Sequence, residues 1–175
     1  MDKILIIIPT YNEKENISRM VDTVMELSKD FHLLIVDDNS PDGTAEIITT
    51  LMTQYPGRLF FFFRKGKMGL GTAYIHGFKW GIQHNYDYIL EMDADFSHPP
   101  EKLLELVAAC QNGADIAVGS RYTSGGKVKN WPWSRILLSY FANLYVQFIT
   151  WIPCRDATAG FVCYKKEVLE SIHLD

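Results

Sequence analysis

Residues 3–9 (KILIIIP) form a continuous apolar run, rich in isoleucine, that stops at a proline. A short run without alternation predicts a strand buried on both faces, as in a parallel sheet. The period then changes. Between residues 14 and 28, Ile17, Met20, Val21, Val24 and Leu27 recur every three or four positions, which predicts a helix with one apolar stripe. The exchange repeats along the chain. Residues 32–36 predict a second strand ending at Asp37-Asp38, and Ile47, Ile48, Leu51 and Met52 mark a second helix after Asp42-Gly43-Thr44. Residues 59–63 predict a third strand, followed by a Gly-rich turn and a helix near 72–84. Residues 86–92 predict a fourth strand ending in acids. Pro99-Pro100 open a helix carrying Leu103, Leu104, Leu106 and Val107, and residues 115–119 predict a fifth strand. Proline is tolerated in a first helical turn, where its missing donor is not needed.

Strands alternating with amphipathic helices imply right-handed βαβ units, an α/β fold and a mostly parallel central sheet. Ligands of such sheets bind beyond the carboxyl ends of the strands. The residues that interrupt the pattern fall there: Tyr11-Asn12-Glu13, Asp37-Asp38-Asn39, residues 65–71 and Asp93-Ala94-Asp95.

A length of 175 residues fits one domain with one core. Hydrophobic residues at 47% and charged residues at 22% exclude a disordered chain. The net charge of −4 provides no field for a polyanionic backbone, so no nucleic-acid partner is expected. Three cysteines, with no C-x-x-C, suit a reducing compartment better than a disulfide framework or a zinc site. The first apolar run is too short for a signal-peptide core, and the chain reads as cytoplasmic at its start. Residues 171–175 read as a helix still in progress, since no Gly, Asn or Pro stops it.

Asp93 and Asp95, one small residue apart at the end of a buried strand, can both reach one edge. Hard carboxylate oxygens suit Mg²⁺ or Mn²⁺, and a diphosphate can complete the shell; the competing reading is an acidic turn that caps the next helix. At Asp37-Asp38 an acid can hydrogen-bond a ribose or base, and residues 38–43 also read as a turn; both can hold. Tyr11 can stack on a base and Glu13 accept from one; alternatively Asn12 caps the first helix and Glu13 complements its dipole. The basic Gly-rich stretch 64–73 can hold phosphates, but it matches neither G-x-x-x-x-G-K-[ST] nor G-x-G-x-x-G. No G-x-S-x-G occurs, and the five histidines show no ligand spacing, so none is assigned a role.

Nineteen uncharged residues, 136–154, lie between Arg135 and Arg155. Ser139, Asn143, Gln147 and Thr150 share one helical face, and the rest is apolar or aromatic. Lys127, Lys129, Trp131 and Trp133 precede it. Basic and aromatic residues at the edge of an apolar helix suit a membrane interface, so 134–152 is expected to be an interfacial helix; packing into the core is the other reading.

Taken in order, PTYNE (9–13), DDNSPDGT (37–44), GKMGLGTA (66–73), MDADFSHPP (92–100), GSRY (119–122) and DATAGF (156–161) resemble one family. It is that of the dolichol-phosphate mannose synthases and their bacterial polyprenyl-phosphate relatives, inverting family 2 glycosyltransferases with the GT-A fold. The resemblance implies a nucleotide pocket of Pro9, Tyr11, Glu13, Val36 and Asp38. It implies a diphosphate and metal site of Asp93, Ala94 and Asp95, with Ser97 as a further ligand where many relatives have Gln. Arg121 resembles an arginine that contacts the donor or the acceptor phosphate, so Asp95 and Arg121 are expected to carry catalysis. Asp156 and Thr158 resemble an acceptor loop in which Ala159 replaces a Ser. Relatives of this kind continue past residue 175. The implied reaction moves mannose from GDP-mannose to a polyprenyl phosphate with Mg²⁺ or Mn²⁺, at the cytoplasmic face of a membrane. UDP-glucose or another nucleotide sugar as donor, and a non-catalytic nucleotide- or membrane-binding module, are the alternatives. A lipid phosphate is already ionised near neutral pH, so no general base is required.

Overall fold

The computed structural model describes residues 2–120, 141, 142, 144–146, 148, 149, 151, 156 and 159–174. Arg121, Thr158, the basic and aromatic stretch 127–133 and most of 134–152 lie outside the described residues.

The strands are β1 (Ile4–Thr10), β2 (Phe31–Asp37), β3 (Leu59–Phe63), β4 (Tyr88–Glu91), β5 (Ile116–Val118) and β6 (Val162–Lys165). They form one sheet in the order β3-β2-β1-β4-β6-β5. β3, β2, β1 and β4 run parallel, whereas β6 is antiparallel to both β4 and β5. The sequence pattern predicts the first five strands. It does not predict β6, which inserts between β4 and β5 and supplies the hydrogen bonds that these two do not exchange.

Helices α1 (Ile17–Leu27), α2 (Thr44–Gln54), α3 (Leu70–Gln83), α4 (Leu103–Gln111) and α5 (Lys166–Ser171) cover both faces. Side chains alternate across a strand, and β1 shows the consequence. Ile4, Ile6 and Ile8 enter a core with α1, α2 and α4, whereas Leu5 and Ile7 enter a second with α3 and α5. Every residue from Ile4 to Ile8 is at most 5% exposed, as the unbroken apolar run predicts. On α3, Gly77 and Gly81 allow close approach: a Cβ at Gly77 would stand 2.7 Å from Ile7 Cδ1 and Cγ2, and one at Gly81 2.7 Å from Ile89 Cδ1.

Two expectations about helix ends are corrected. α1 starts at Ile17, with Asn16 rather than Asn12 before it. Asn12 is in the left-handed region (φ 62°), and its N–H donates to Ser40 Oγ at 2.9 Å. The last helix does not continue to residue 175. α5 ends at Ser171 and Ile172 is extended, the Ser171 hydroxyl bonding the Val168 carbonyl at 2.7 Å. Among the described residues, no helix is long and apolar enough to cross a membrane.

Candidate active site

The carboxyl ends of β1, β2, β3 and β4 bring together the acids and turns singled out in the sequence. At the end of β2, the two aspartates divide their work. Asp37 is fully buried and accepts from Thr10 Oγ1 (2.8 Å), Ser40 N (2.9 Å) and Ser40 Oγ (2.6 Å). It therefore fixes the end of β1 to the turn after β2. Asp38 faces Arg64, at the end of β3, and both are buried. Arg64 Nε donates to Asp38 Oδ1, Nη1 to Thr72 Oγ1 (2.7 Å) and Nη2 to the Gly69 carbonyl (3.0 Å). Asp38 Oδ2 accepts the Met68 N–H at 3.2 Å. Burial alone would raise the Asp38 carboxyl, but the Arg64 hydrogen bond and charge outweigh it and hold the carboxyl below its ordinary range. Arg64 thus clamps the Gly-rich loop instead of offering a free cation to a phosphate. The sequence showed it only as one member of a basic run.

Beyond β1, Tyr11 is 39% exposed, and the Lys67 ammonium lies 4.2 Å from its ring centroid. Glu13 is anchored, its N–H donating to Thr44 Oγ1 (3.1 Å) and its carboxylate accepting from Asn16 Nδ2 (2.9 Å). Pro9 and Val36 are register partners across β1 and β2; the Val36 side chain lies wholly in the core.

Beyond β4, the segment from Asp93 to Pro100 makes a sharp turn. Phe96 is in the left-handed region (φ 58°), a rare conformation for an aromatic residue, and its ring lies 4.9 Å from the Arg19 guanidinium. Ala94 is buried at 2%. Asp95 and Ser97 are exposed, and the Ser97 N–H donates to Asp95 Oδ1 at 2.9 Å. Asp93 is engaged from two sides. Tyr74 Oη donates to its Oδ1 at 3.3 Å, and His98 Nε2 stands 3.3 Å from its Oδ2. Neither Tyr74 nor His98 carried a signal in the sequence. Below them, Glu91 accepts from the Tyr164 hydroxyl at 3.0 Å. Burial, and secondarily the Asp93 charge, push its carboxyl up to about 7 against the pull of Tyr164 and His98.

The donor set fits a hard divalent ion with an incomplete protein shell. Among the described residues no three His, Cys, Asp or Glu side chains converge as a metal cage. Asp95 could offer its second carboxylate oxygen and Ser97 its hydroxyl to such an ion, and further oxygens would then have to come from a bound diphosphate or water.

The sequence profile described as Glycosyl transferase family 2 matches residues 5–172. The chain belongs to this family. It is 48% identical over 170 residues to polyprenol monophosphomannose synthase of Mycolicibacterium smegmatis, covering 97% of this chain and 64% of that one. It is 41% identical to undecaprenyl-phosphate mannosyltransferase of Micrococcus luteus, covering 99% and 70%. The chain therefore spans about two thirds of the length of these two relatives. Two solved structures share the fold. Glucosyl-3-phosphoglycerate synthase of Mycobacterium tuberculosis, in complex with Mn²⁺, UDP-Glc and phosphoglyceric acid, gives a TM-score of 0.69 at 18% identity, covering 98% of this chain and 59% of that chain. A mannosyltransferase of Pyrobaculum calidifontis, in complex with GDP-Man and Mn²⁺, gives 0.61 at 19% identity, covering 97% and 46%. The family 2 chain thus has the GT-A fold predicted for it, a mostly parallel sheet between helices.

Proposed function

We propose that this protein transfers mannose from GDP-mannose to a polyprenyl phosphate, with inversion and with Mg²⁺ or Mn²⁺. The observation that carries the reading is the 48% identity to a polyprenol monophosphomannose synthase across 97% of the chain. Asp95 and Ser97 would hold the metal against the donor diphosphate, where a divalent ion neutralises the leaving nucleoside diphosphate. Asp93, pinned by Tyr74, stands beside them and orients the donor. Ala94, the small residue between the two aspartates, packs into the core and anchors the segment that carries them. Tyr11 offers a ring to the base, displacing Lys67, and Pro9, Glu13, Val36 and Asp38 shape the pocket around it. Arg121 would supply a second cation to the diphosphate or to the acceptor phosphate. That phosphate is its own nucleophile, so the site needs no histidine base.

The acceptor side is read at 134–152. Of the described residues there, Phe141, Leu144, Tyr145, Phe148, Ile149 and Trp151 are all more than half exposed. Apolar side chains so exposed suit a membrane surface, which supports a peripheral position at the cytoplasmic face, where the lipid phosphate would be reached.

The test is transfer of labelled mannose to a polyprenyl phosphate in detergent with Mn²⁺. Asp95→Asn should lower the rate by roughly two to three orders of magnitude, as expected when a charge-stabilising group is lost. Full activity of this variant, or transfer from UDP-glucose and not from GDP-mannose, overturns the reading.

A further inference from the structure

We propose that His98 is a positioning residue, one that fixes the Asp93 carboxylate and ties it to the segments flanking residues 121–158. The inference rests on the reading of the β4 end as the donor site. Asp93 projects between α3 and the loop after β4. Tyr74 holds one carboxylate oxygen, and His98 Nε2 lies 3.3 Å from the other. A contact to each oxygen leaves the carboxylate little rotational freedom, so its orientation is set before a ligand arrives.

The His98 ring is itself fixed. It stacks on Phe161, with centroids 5.0 Å apart and planes 13° from parallel. Phe161 is 2% exposed, and its carbonyl accepts the Gly119 N–H at 2.8 Å. Gly119 has no room for a Cβ, which would overlap the Phe161 ring. Gly160 closes the cluster: a Cβ there would stand 3.8 Å from Asp93 Oδ2 and 3.9 Å from His98 Nε2. A continuous chain of contacts therefore runs from Asp93 through His98 and Phe161 to Gly119. It ends on the segments at 119–120 and 159–161, between which the chain carries Arg121 and the expected acceptor helix. A purely structural ring at position 98 would need only the stack. The nitrogen facing a carboxylate oxygen is the feature that packing alone does not account for.

Two substitutions separate the roles. His98→Phe keeps a ring for Phe161 and removes the nitrogen; His98→Gln returns a side-chain N–H donor without the ring. In the absence of substrate, Asp93→Asn should move the His98 ring nitrogen resonances. In steady-state transfer, His98→Phe should lower kcat roughly ten- to a hundredfold with little change in donor KM. His98→Gln should recover part of that loss, and His98→Phe should add less than about twofold in an Asp93→Asn background. Unmoved ring resonances overturn the contact. Wild-type kcat in His98→Phe, no recovery in His98→Gln, or an undiminished effect without Asp93 overturns the positioning role. Kinetics are run with GDP-mannose and with UDP-glucose, so a protein that uses only the second refutes the mannose reading and still tests His98.

Discussion

Glu91→Gln isolates the cost of a buried acid beneath the proposed donor site. Glu91 closes β4, two residues before Asp93, and its carboxyl is pushed up to about 7, chiefly by burial. Its ordinary value is 4.5. Between these two values the folded chain holds a proton that the unfolded chain has lost. Stability therefore falls as pH rises through the window. The gap from 4.5 to about 7, at about 1.36 kcal/mol per pH unit, comes to about 3 kcal/mol when the window has been crossed. Glutamine does not titrate and keeps an oxygen to accept the Tyr164 hydroxyl, bonded at 3.0 Å in the wild type. The variant should thus be more stable than wild type at pH 8, and its advantage should grow by about 2–3 kcal/mol between pH 5 and pH 8. Urea unfolding in metal-free buffer, followed by tryptophan fluorescence and circular dichroism, measures both chains across the window. Parallel stability curves, or a variant less stable than wild type at pH 8, would refute the reasoning.

Two further substitutions test the scaffold. Arg64→Met should cost about 3–5 kcal/mol in urea unfolding, because it leaves the buried Asp38 charge unpaired. Asp38 sits below its ordinary range in the fold, so its contribution is present above that range and lost as pH falls, and the variant should flatten this acid limb. Gly77→Ala should lower stability by about 1–2 kcal/mol, as crowding against Ile7 outweighs the helix preference for alanine; a variant stabilised by the substitution would refute the close approach.

The parallel half of the sheet was legible because burial on both faces leaves a direct trace. The apolar runs within 3–9 and 32–36 became β1 and β2, and the stripe from Ile17 to Leu27 became α1. β6 left no such trace. Val162–Lys165 has four residues, of which Val162 and Cys163 are buried and Tyr164 and Lys165 partly buried, with no alternation between them. Its strand state comes from pairing with β4 on one side and β5 on the other, a tertiary cause that no local period records. The site was legible in the same uneven way. Strand ends are where polar residues must interrupt apolar runs, so Asp38, Asp93 and Asp95 stood out. The partners of those acids did not. Arg64 looked like any base in a basic loop, and His98 sits next to prolines with no ligand spacing. Both owe their roles to residues brought close only by the sheet.

The partners decide which acid can meet a cation. Asp37 has three hydrogen bonds, Asp38 is paired with Arg64, and Asp93 is contacted on both oxygens. Each is thus held by groups of the fold itself. Asp95 is different: it is exposed, and one backbone N–H on one oxygen is its bond within the described residues. A single carboxylate with a neighbouring hydroxyl is too small a donor set to hold Mg²⁺ or Mn²⁺ by itself, since such ions take about six oxygens. Under the proposed reading, the diphosphate must bring the remainder. Metal and nucleotide then each raise the affinity for the other by the same factor. The interdependence of metal and donor follows from how few protein oxygens the proposed site supplies.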